Sequence, residues 1–143
     1  MKFKFGPKSS KELETCHRDL RFLARYILNL GILDISVIEG HRAKLKQDNF
    51  YYSTPQRSKV KFPDGKHNSQ PSEALDIVPF INGEASWNKL HCCVLAGIVL
   101  TAAKHLGINI RWGGNWDMDS EPITDQDFQD LAHYELVGDM SYE

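Results

Sequence analysis

Three widely separated side chains could together bind a divalent metal ion. His67 lies shortly before a predicted strand that contains Asp76 between Leu75 and Ile77. A carboxylate among apolar strand residues is costly unless it is paired or coordinates a metal. His133 begins the last predicted strand. Two imidazoles and one carboxylate are a ligand set of catalytic zinc sites, whose fourth position stays open. The alternative, from spacing alone, is three ordinary polar side chains.

Asp130 and Arg42 are the candidate catalytic groups. Asp130 precedes His133 by three residues, so its carboxylate could stand beside the metal without binding it. Zinc lowers the pKa of water towards about 7, and a nearby carboxylate can then accept the proton. Arg42 follows Gly40 at the end of a predicted strand. Its guanidinium could hold a substrate carboxylate or a developing oxyanion. A surface salt bridge is the alternative for Arg42.

The apolar pattern predicts a long first helix. From Leu13 to Leu30, apolar side chains recur every three or four positions and form one stripe. Ser9 and Glu12 have the spacing of a capping box, and Gly31 is placed for a left-handed C-cap. We expect this helix to contribute to the core and not to the chemistry.

A second helix and four strands are predicted further along the chain. The helix covers residues 86–106, ends at Gly107, and has an expected apolar face of Trp87, Leu90, Val94, Ile98 and Ala102. The strands are expected at residues 35–39, 74–80, 108–112 and 133–137, with a turn at Asn82-Gly83. This order of elements is typical of an α+β fold with a small, mostly antiparallel sheet packed against helices.

Composition indicates one globular domain, residues 1–143. The chain is 41% hydrophobic and 25% charged, which excludes a disordered, collagen-like or cross-linked mini-protein class. The longest apolar stretch, Cys92–Ala103, is shorter than the about 20 residues of a membrane span. No apolar run follows Met1-Lys2, so we expect no secretory signal. The three cysteines lack a zinc-site spacing and are expected to be small buried residues.

Charge and aromatic residues suggest further features without deciding them. No Lys or Arg follows Asn115, whereas residues 43–66 are rich in basic side chains and lack periodicity. The basic segment could be a lid or wall-binding arm, or a mobile loop. The acidic loop 117–127 offers oxygens suited to calcium, but lacks EF-hand spacing; a solvated loop is the alternative. Four aromatics could line a cleft or belong to the core: Tyr51, Tyr52, Trp112 and Trp116.

The residues around His67 and Asp76 also resemble a known motif. Zinc peptidases that cleave bonds to D-amino acids in peptidoglycan carry S-x-H-x-x-G-x-A-x-D, and later an acid three residues before a histidine. In this chain the Ala-x-Asp core is present, Ser72 replaces the glycine and Gly65 replaces the serine. His67 and Asp76 are nine residues apart instead of seven. We interpret the two additional residues as a longer turn, as in a variant among phage members.

The resemblance covers nearly the whole chain. Other segments similar to the phage branch are residues 3–6, 38–42, 81–88 and 111–117, and residues 43–60 match least clearly. It implies the fold shared with Hedgehog-type signalling domains. It also implies zinc binding by His67, Asp76 and His133, a general base at Asp130, and transition-state stabilisation by Arg42.

The function implied by the resemblance is that of a phage endolysin. The expected enzyme is a monomeric zinc endopeptidase that cleaves the L-Ala–D-Glu bond of peptidoglycan and lyses a bacterial host, with a Gram-negative host favoured. Two alternatives stay open: a D-Ala-D-Ala carboxypeptidase or dipeptidase, and a catalytically silent zinc-bearing module that binds cell wall. We expect synthesis in the host cytoplasm, action on the wall in the periplasm, and dependence on a holin-like membrane permeabiliser. Neither a nucleic-acid partner nor membrane insertion is expected.

Overall fold

Four α-helices and five strands form the part of the chain that the computed structural model describes, residues 3–138. In chain order they are α1 (Pro7–Leu13), α2 (Arg18–Leu30), β1 (Ile35–Glu39), α3 (Lys44–Tyr52), β2 (Ala74–Ile81), β3 (Glu84–Ala85), α4 (Lys89–Leu106), β4 (Ile110–Gly113) and β5 (Asp130–Leu136), with a short 3-10 turn at Lys66–Asn68 between α3 and β2. The expectation that there is no secretory signal, argued from Met1-Lys2, concerns residues outside this part.

The strands form one antiparallel sheet in the order β1-β2-β5-β4. The short β3 pairs with β2 across the turn at Asn82-Gly83, where both residues have positive φ. Helix α4 packs against β2, β4 and β5, and α2 packs on α4. The prediction of an α+β fold with a small antiparallel sheet is therefore confirmed.

The core lies between the sheet and the two long helices. Its largest fully buried members include Leu20, Leu23 and Ile27 from α2, and Leu95 and Val99 from α4. Burying each such side chain contributes about 1.5–3 kcal/mol before the entropic cost of ordering is counted. Cysteines Cys16 and Cys92 are buried and Cys93 is partly buried, and all three are free thiols.

The first helix is not continuous, contrary to the prediction. It is interrupted after Leu13, and α2 begins at Arg18 with the His17 side chain accepting a hydrogen bond from the Asp19 amide. The interruption has a tertiary cause, because the His17 amide donates to the carbonyl of Ser72 (2.8 Å). The capping box predicted at Ser9 is wrong, because α1 begins at Pro7 with Gly6 as its N-cap. The left-handed cap predicted at Gly31 is confirmed, and the second long helix ends at Gly107 as predicted, also in the left-handed conformation.

The buried face of α4 also differs from the predicted one. Leu90 and Val94 are 75% and 57% exposed, whereas the buried residues are Cys92, Leu95, Ala96, Val99, Ala102 and Ala103. Apolar residues surround most of this helix, so their period does not identify the inner face. By length and composition alone, α4 is the one helix within residues 3–138 that could cross a membrane. The apolar composition of α4 is equally explained by the residues that it buries in the core.

Helix α3 lies within the segment that was predicted to be a loop. Its one buried residue is the polar Gln47, whose amide donates to the Ser58 hydroxyl and the Val60 carbonyl. Hydrogen bonds therefore hold the inner face of α3, and the sequence shows no apolar periodicity in this segment. The same contacts fold residues 58–60 back against α3.

Candidate active site

Neighbouring strands bring the three predicted metal ligands together. Asp76 on β2 and His133 on β5 are paired in the antiparallel register, and the 3-10 turn supplies His67. Nε2 of His67 lies 3.0 Å from Oδ1 of Asp76 and 3.2 Å from Nδ1 of His133. Oδ1 of Asp76 and Nδ1 of His133 are 3.3 Å apart. Three donor atoms from distant parts of the chain therefore face one point.

The outer nitrogen of each imidazole is held by a hydrogen bond. Nδ1 of His67 lies 2.7 Å from the carbonyl oxygen of Gly40, which can only accept, so this nitrogen carries the proton. Nε2 of His133 lies 2.8 Å from Oε1 of Glu135. The other nitrogen of each ring faces the shared point and is the one that a metal ion could bind, which is how outer partners orient metal-binding histidines.

These donors fit a zinc ion. Tetrahedral zinc with ligands at about 2.1 Å places its donor atoms about 3.4 Å apart. The three separations here, 3.0–3.3 Å, approach that value. Nitrogen and carboxylate donors suit zinc, and three protein ligands leave one coordination position for water or substrate. His67, Asp76 and His133 could therefore hold the ion that the sequence predicts.

The charges of the ligands influence how such an ion would bind. Burial would raise the pKa of Asp76, but His67 and His133 outweigh it and hold that pKa well below its usual range. Burial would lower the pKa of His133, but hydrogen bonds to Asp76 and Glu135 raise it to about 10. His133 is thus protonated at neutral pH when no metal is bound. A metal ion must displace this proton, so its affinity increases with pH.

Asp130 begins β5 and lines the same cavity as the three ligands. Burial, followed by repulsion from Asp76, raises the pKa of Asp130 to about 6. A carboxylate with a pKa in this range is ionised at neutral pH and is a better proton acceptor than an exposed one. Asp130 thus shares the cavity with the three ligands and has a raised pKa that would suit proton transfer.

Arg42 is buried, with 7% of its surface exposed, so the surface salt bridge considered for it is wrong. Its Nε donates to Oε1 of Glu39 (2.9 Å), and Nη1 donates to Oε1 of Gln47 (3.0 Å). Nη2 also contacts Glu39, and lies 3.8 Å from Oδ2 of Asp76. The guanidinium is fixed next to the ligand cluster, with N–H groups left that could face a substrate.

The nine-residue spacing between His67 and Asp76 is accommodated by an anchored turn. The amide of Ser72 donates to the Thr15 carbonyl (2.9 Å), and the amide of Glu73 donates to the Lys66 carbonyl (3.0 Å). The end of this turn is therefore tied to the junction between α1 and α2 and to the 3-10 turn that carries His67.

Several residues of the site were not found by sequence reasoning. Glu39 orients Arg42, the carbonyl of Gly40 orients His67, and Arg111 donates to Glu135 behind His133 (2.7 Å). A Cβ on Gly40 would lie 2.3 Å from Oγ1 of Thr15, so only glycine allows this close approach. In the sequence, the position of Gly40 at the end of a predicted strand was the one signal that could have indicated this close approach.

One cavity of about 770 Å³ contains the site. Trp116 lines it and lies 5.4 Å, ring to ring, from His133, whereas Trp112 is buried in the core. Tyr51 and Tyr52 do not line the cavity; Phe50 of α3 does. The basic segment therefore forms part of the wall. Away from the cavity, three exposed carboxylates of the acidic loop lie within 4.8 Å of one another: Asp117, Asp119 and Asp125.

Comparisons with known proteins agree with this geometry. The family model described as phage L-alanyl-D-glutamate peptidase matches residues 1–137. The L-alanyl-D-glutamate peptidase of Escherichia phage T5 is 33% identical over 141 residues, which cover 96% of this chain and 100% of that protein. The crystal structure of the Serratia marcescens L-Ala D-Glu endopeptidase ChiX superimposes with a TM-score of 0.72 at 26% identity, over 93% of this chain and 89% of that one. The chain belongs to the phage L-alanyl-D-glutamate peptidase family.

Proposed function

We propose that this chain is a zinc-dependent endopeptidase that hydrolyses the L-Ala–D-Glu bond of peptidoglycan and serves as a phage endolysin. The observation that carries the proposal is the convergence of His67, Asp76 and His133, with Asp130 in the same cavity. The family to which the chain belongs supplies the bond. Residues 1–143 would act as one catalytic domain.

The side chains of the cavity have distinct roles in this proposal. Bound zinc supplies Lewis acidity, which polarises a carbonyl and lowers the pKa of water. Asp130 accepts the proton of the attacking water and passes it to the departing amine. Arg42, fixed by Glu39 and Gln47, donates hydrogen bonds to the negative charge that develops on the scissile carbonyl oxygen.

The setting of the reaction follows from its substrate. We propose that the monomeric enzyme is made in the host cytoplasm and acts on the wall in the periplasm. A holin-like permeabiliser would then release it, because the substrate and the site of synthesis lie on opposite sides of a membrane.

Mass spectrometry of digested muropeptides tests the proposed bond. Purified peptidoglycan treated with the zinc-loaded protein should yield new amino-terminal glutamate, together with glycan that keeps only L-alanine. Loss of single terminal D-alanines would instead support a carboxypeptidase, and loss of D-alanyl-D-alanine a dipeptidase. Tight wall binding with no new amino termini would support a silent binding module.

The raised pKa of Asp130 predicts an acid limb in the activity profile. A general base works only when ionised, so kcat/KM should increase as pH rises through the pKa of Asp130, which is about 6. A bound cation would lower this pKa, because positive charge favours the carboxylate. The midpoint should therefore lie at or below about pH 6. A plot of kcat/KM against pH measures it, and a midpoint above pH 7 would contradict this role for Asp130.

Glu39 is expected to be a positioning residue for Arg42. The Glu39→Gln variant keeps the shape but removes the charge that fixes both Arg42 and Lys46. Removing one partner of a buried ion pair typically costs 3–5 kcal/mol, so we expect a clear drop in melting temperature. We also expect kcat to fall more than KM rises. If melting temperature falls but kcat is unchanged, Glu39 has only a structural role.

A further inference from the structure

Six cationic side chains line the cavity, and their pairing differs. They are Arg42, Lys46, Arg57, Lys59, Lys66 and Arg111. Arg42 and Lys46 share Glu39, Arg111 pairs with Glu135, and Lys66 lies 3.5 Å from Glu73. Each of these four therefore has a carboxylate partner within the protein, although Arg42 and Lys46 share one.

Arg57 and Lys59 form no ion pair with any residue in the described range 3–138. The guanidinium of Arg57 lies 4.0 Å from the ring centre of Phe50, and its amide donates to the Phe50 carbonyl (2.9 Å). Nζ of Lys59 lies 5.5 Å from the ring centre of Phe128. Both side chains are solvent-exposed as well as lining the cavity. Cation–π contacts hold a cation in place but do not neutralise it.

The position of Phe50 adds a second reason to expect an anion here. Its ring also lies 4.4 Å from the guanidinium of Arg42, so two arginines contact one ring. Glu39 pairs with Arg42, whereas Arg57 has no carboxylate partner within the described residues. The cavity next to the proposed reaction centre thus has positive charge available for a ligand.

The proposed substrate carries a matching negative charge. A glutamate residue has two carboxyl groups, and continuation of the peptide uses one of them. The other remains as a free carboxylate on the residue that contributes the scissile nitrogen. This carboxylate must enter the cavity when the L-Ala–D-Glu bond is positioned for hydrolysis, and it would be costly to hold there without a positive partner.

We propose that Arg57 and Lys59 bind this free carboxylate and so select a glutamate residue on the amine side of the scissile bond. The planar guanidinium of Arg57 is suited to paired hydrogen bonds with a carboxylate, and Lys59 adds a mobile charge. The inference rests on the proposed function. It assigns to the basic segment a role in specificity rather than in the chemical step.

Two synthetic substrates separate this role from a structural one. Both are stem peptides with an L-Ala–D-Glu bond, and they differ only in that the free carboxylate of the glutamate is replaced by a primary amide in one. Steady-state kinetics with the zinc-loaded protein should give kcat/KM about 10- to 100-fold higher for the acid, the range of a charge-assisted hydrogen bond. In Arg57→Ala and Lys59→Ala, kcat/KM for the acid should fall and that for the amide should stay nearly constant.

Two further variants serve as controls. Lys61→Ala removes an exposed lysine of the same segment that contacts Tyr51 outside the cavity, and it should keep the preference for the acid. Arg57→Lys keeps the positive charge and should recover part of the preference for the acid.

Three results would overturn the inference: equal cleavage of acid and amide by the unaltered protein, an unchanged preference in both alanine variants, or an equal loss on both substrates. Failure of the unaltered protein to cleave either substrate would overturn the proposed function itself, and with it the inference.

Discussion

The Asp130→Asn variant is expected to lose activity by a factor of about 10² to 10⁴ in kcat while it keeps its metal. Loss of a positioned general base has this effect on rate. Asparagine has nearly the same shape as aspartate but cannot accept the proton. Because Asp130 is not among the three side chains that meet at one point, zinc content should stay stoichiometric. Elemental analysis and muropeptide digestion measure the two quantities.

Asp127→Asn is the matched control for this experiment. Asp127 is an exposed acid three residues earlier and does not line the cavity. Its replacement changes the net charge by the same amount and should leave kcat unaltered. Retained activity in the Asp130 variant would remove the assignment of the base. Loss of zinc together with activity would mean that Asp130 supports the metal site instead.

Removal of the metal should abolish activity and lower stability together. Chelation removes the ion that would join His67, Asp76 and His133, and His133→Ala removes one donor permanently. A ligand at about 1,000 times its Kd stabilises the folded state by about 4 kcal/mol, which corresponds to about 10 °C in Tm for a domain of this size. We expect added zinc to restore both activity and Tm to the chelated protein, but neither to the His133 variant.

The control for this prediction is His105→Ala. His105 is an exposed histidine in the last turn of α4, away from the cavity, and its loss should not alter zinc content. Thermal unfolding followed by circular dichroism and elemental analysis provide the measurements. The metal assignment would fail if chelation left hydrolysis intact, or if the His133 variant still bound one zinc ion per chain.

The site was predictable from sequence where single residues violate ordinary strand chemistry. An acid at position 76 inside an apolar strand requires a partner, and Asp130 and His133 share one short segment. The outer contacts were not predictable, because they depend on strand register and on how α1 docks. Neither the residue type nor the spacing of Gly40 and Glu39 indicates that they contact His67 and Arg42, respectively.

The parts of the fold that depend on local sequence signals were predictable, and the parts that depend on distant contacts were not. Strand β1 and the C-terminal ends of α2 and α4 match the prediction, because glycine caps and alternating burial are local signals. The interruption after Leu13 and helix α3 were missed for a common reason. Both are decided by polar contacts with distant residues, Ser72 in the first case and Val60 in the second. Apolar periodicity contains no information about such contacts.

The N-terminal helix links the start of the chain to the metal site. Strand β1 is at the sheet edge, and residues 9–15 supply side-chain acceptors for one amide of β1 and for the two amides that follow it: Ser9 for Val37, Glu12 for Gly40 and Thr15 for His41. The same Gly40 fixes the imidazole of His67 through its carbonyl. Destabilising α1 should therefore weaken metal binding and activity even though none of the three ligands is changed. Amino-terminal truncation or a bulky amino-terminal fusion is best avoided when the protein is engineered.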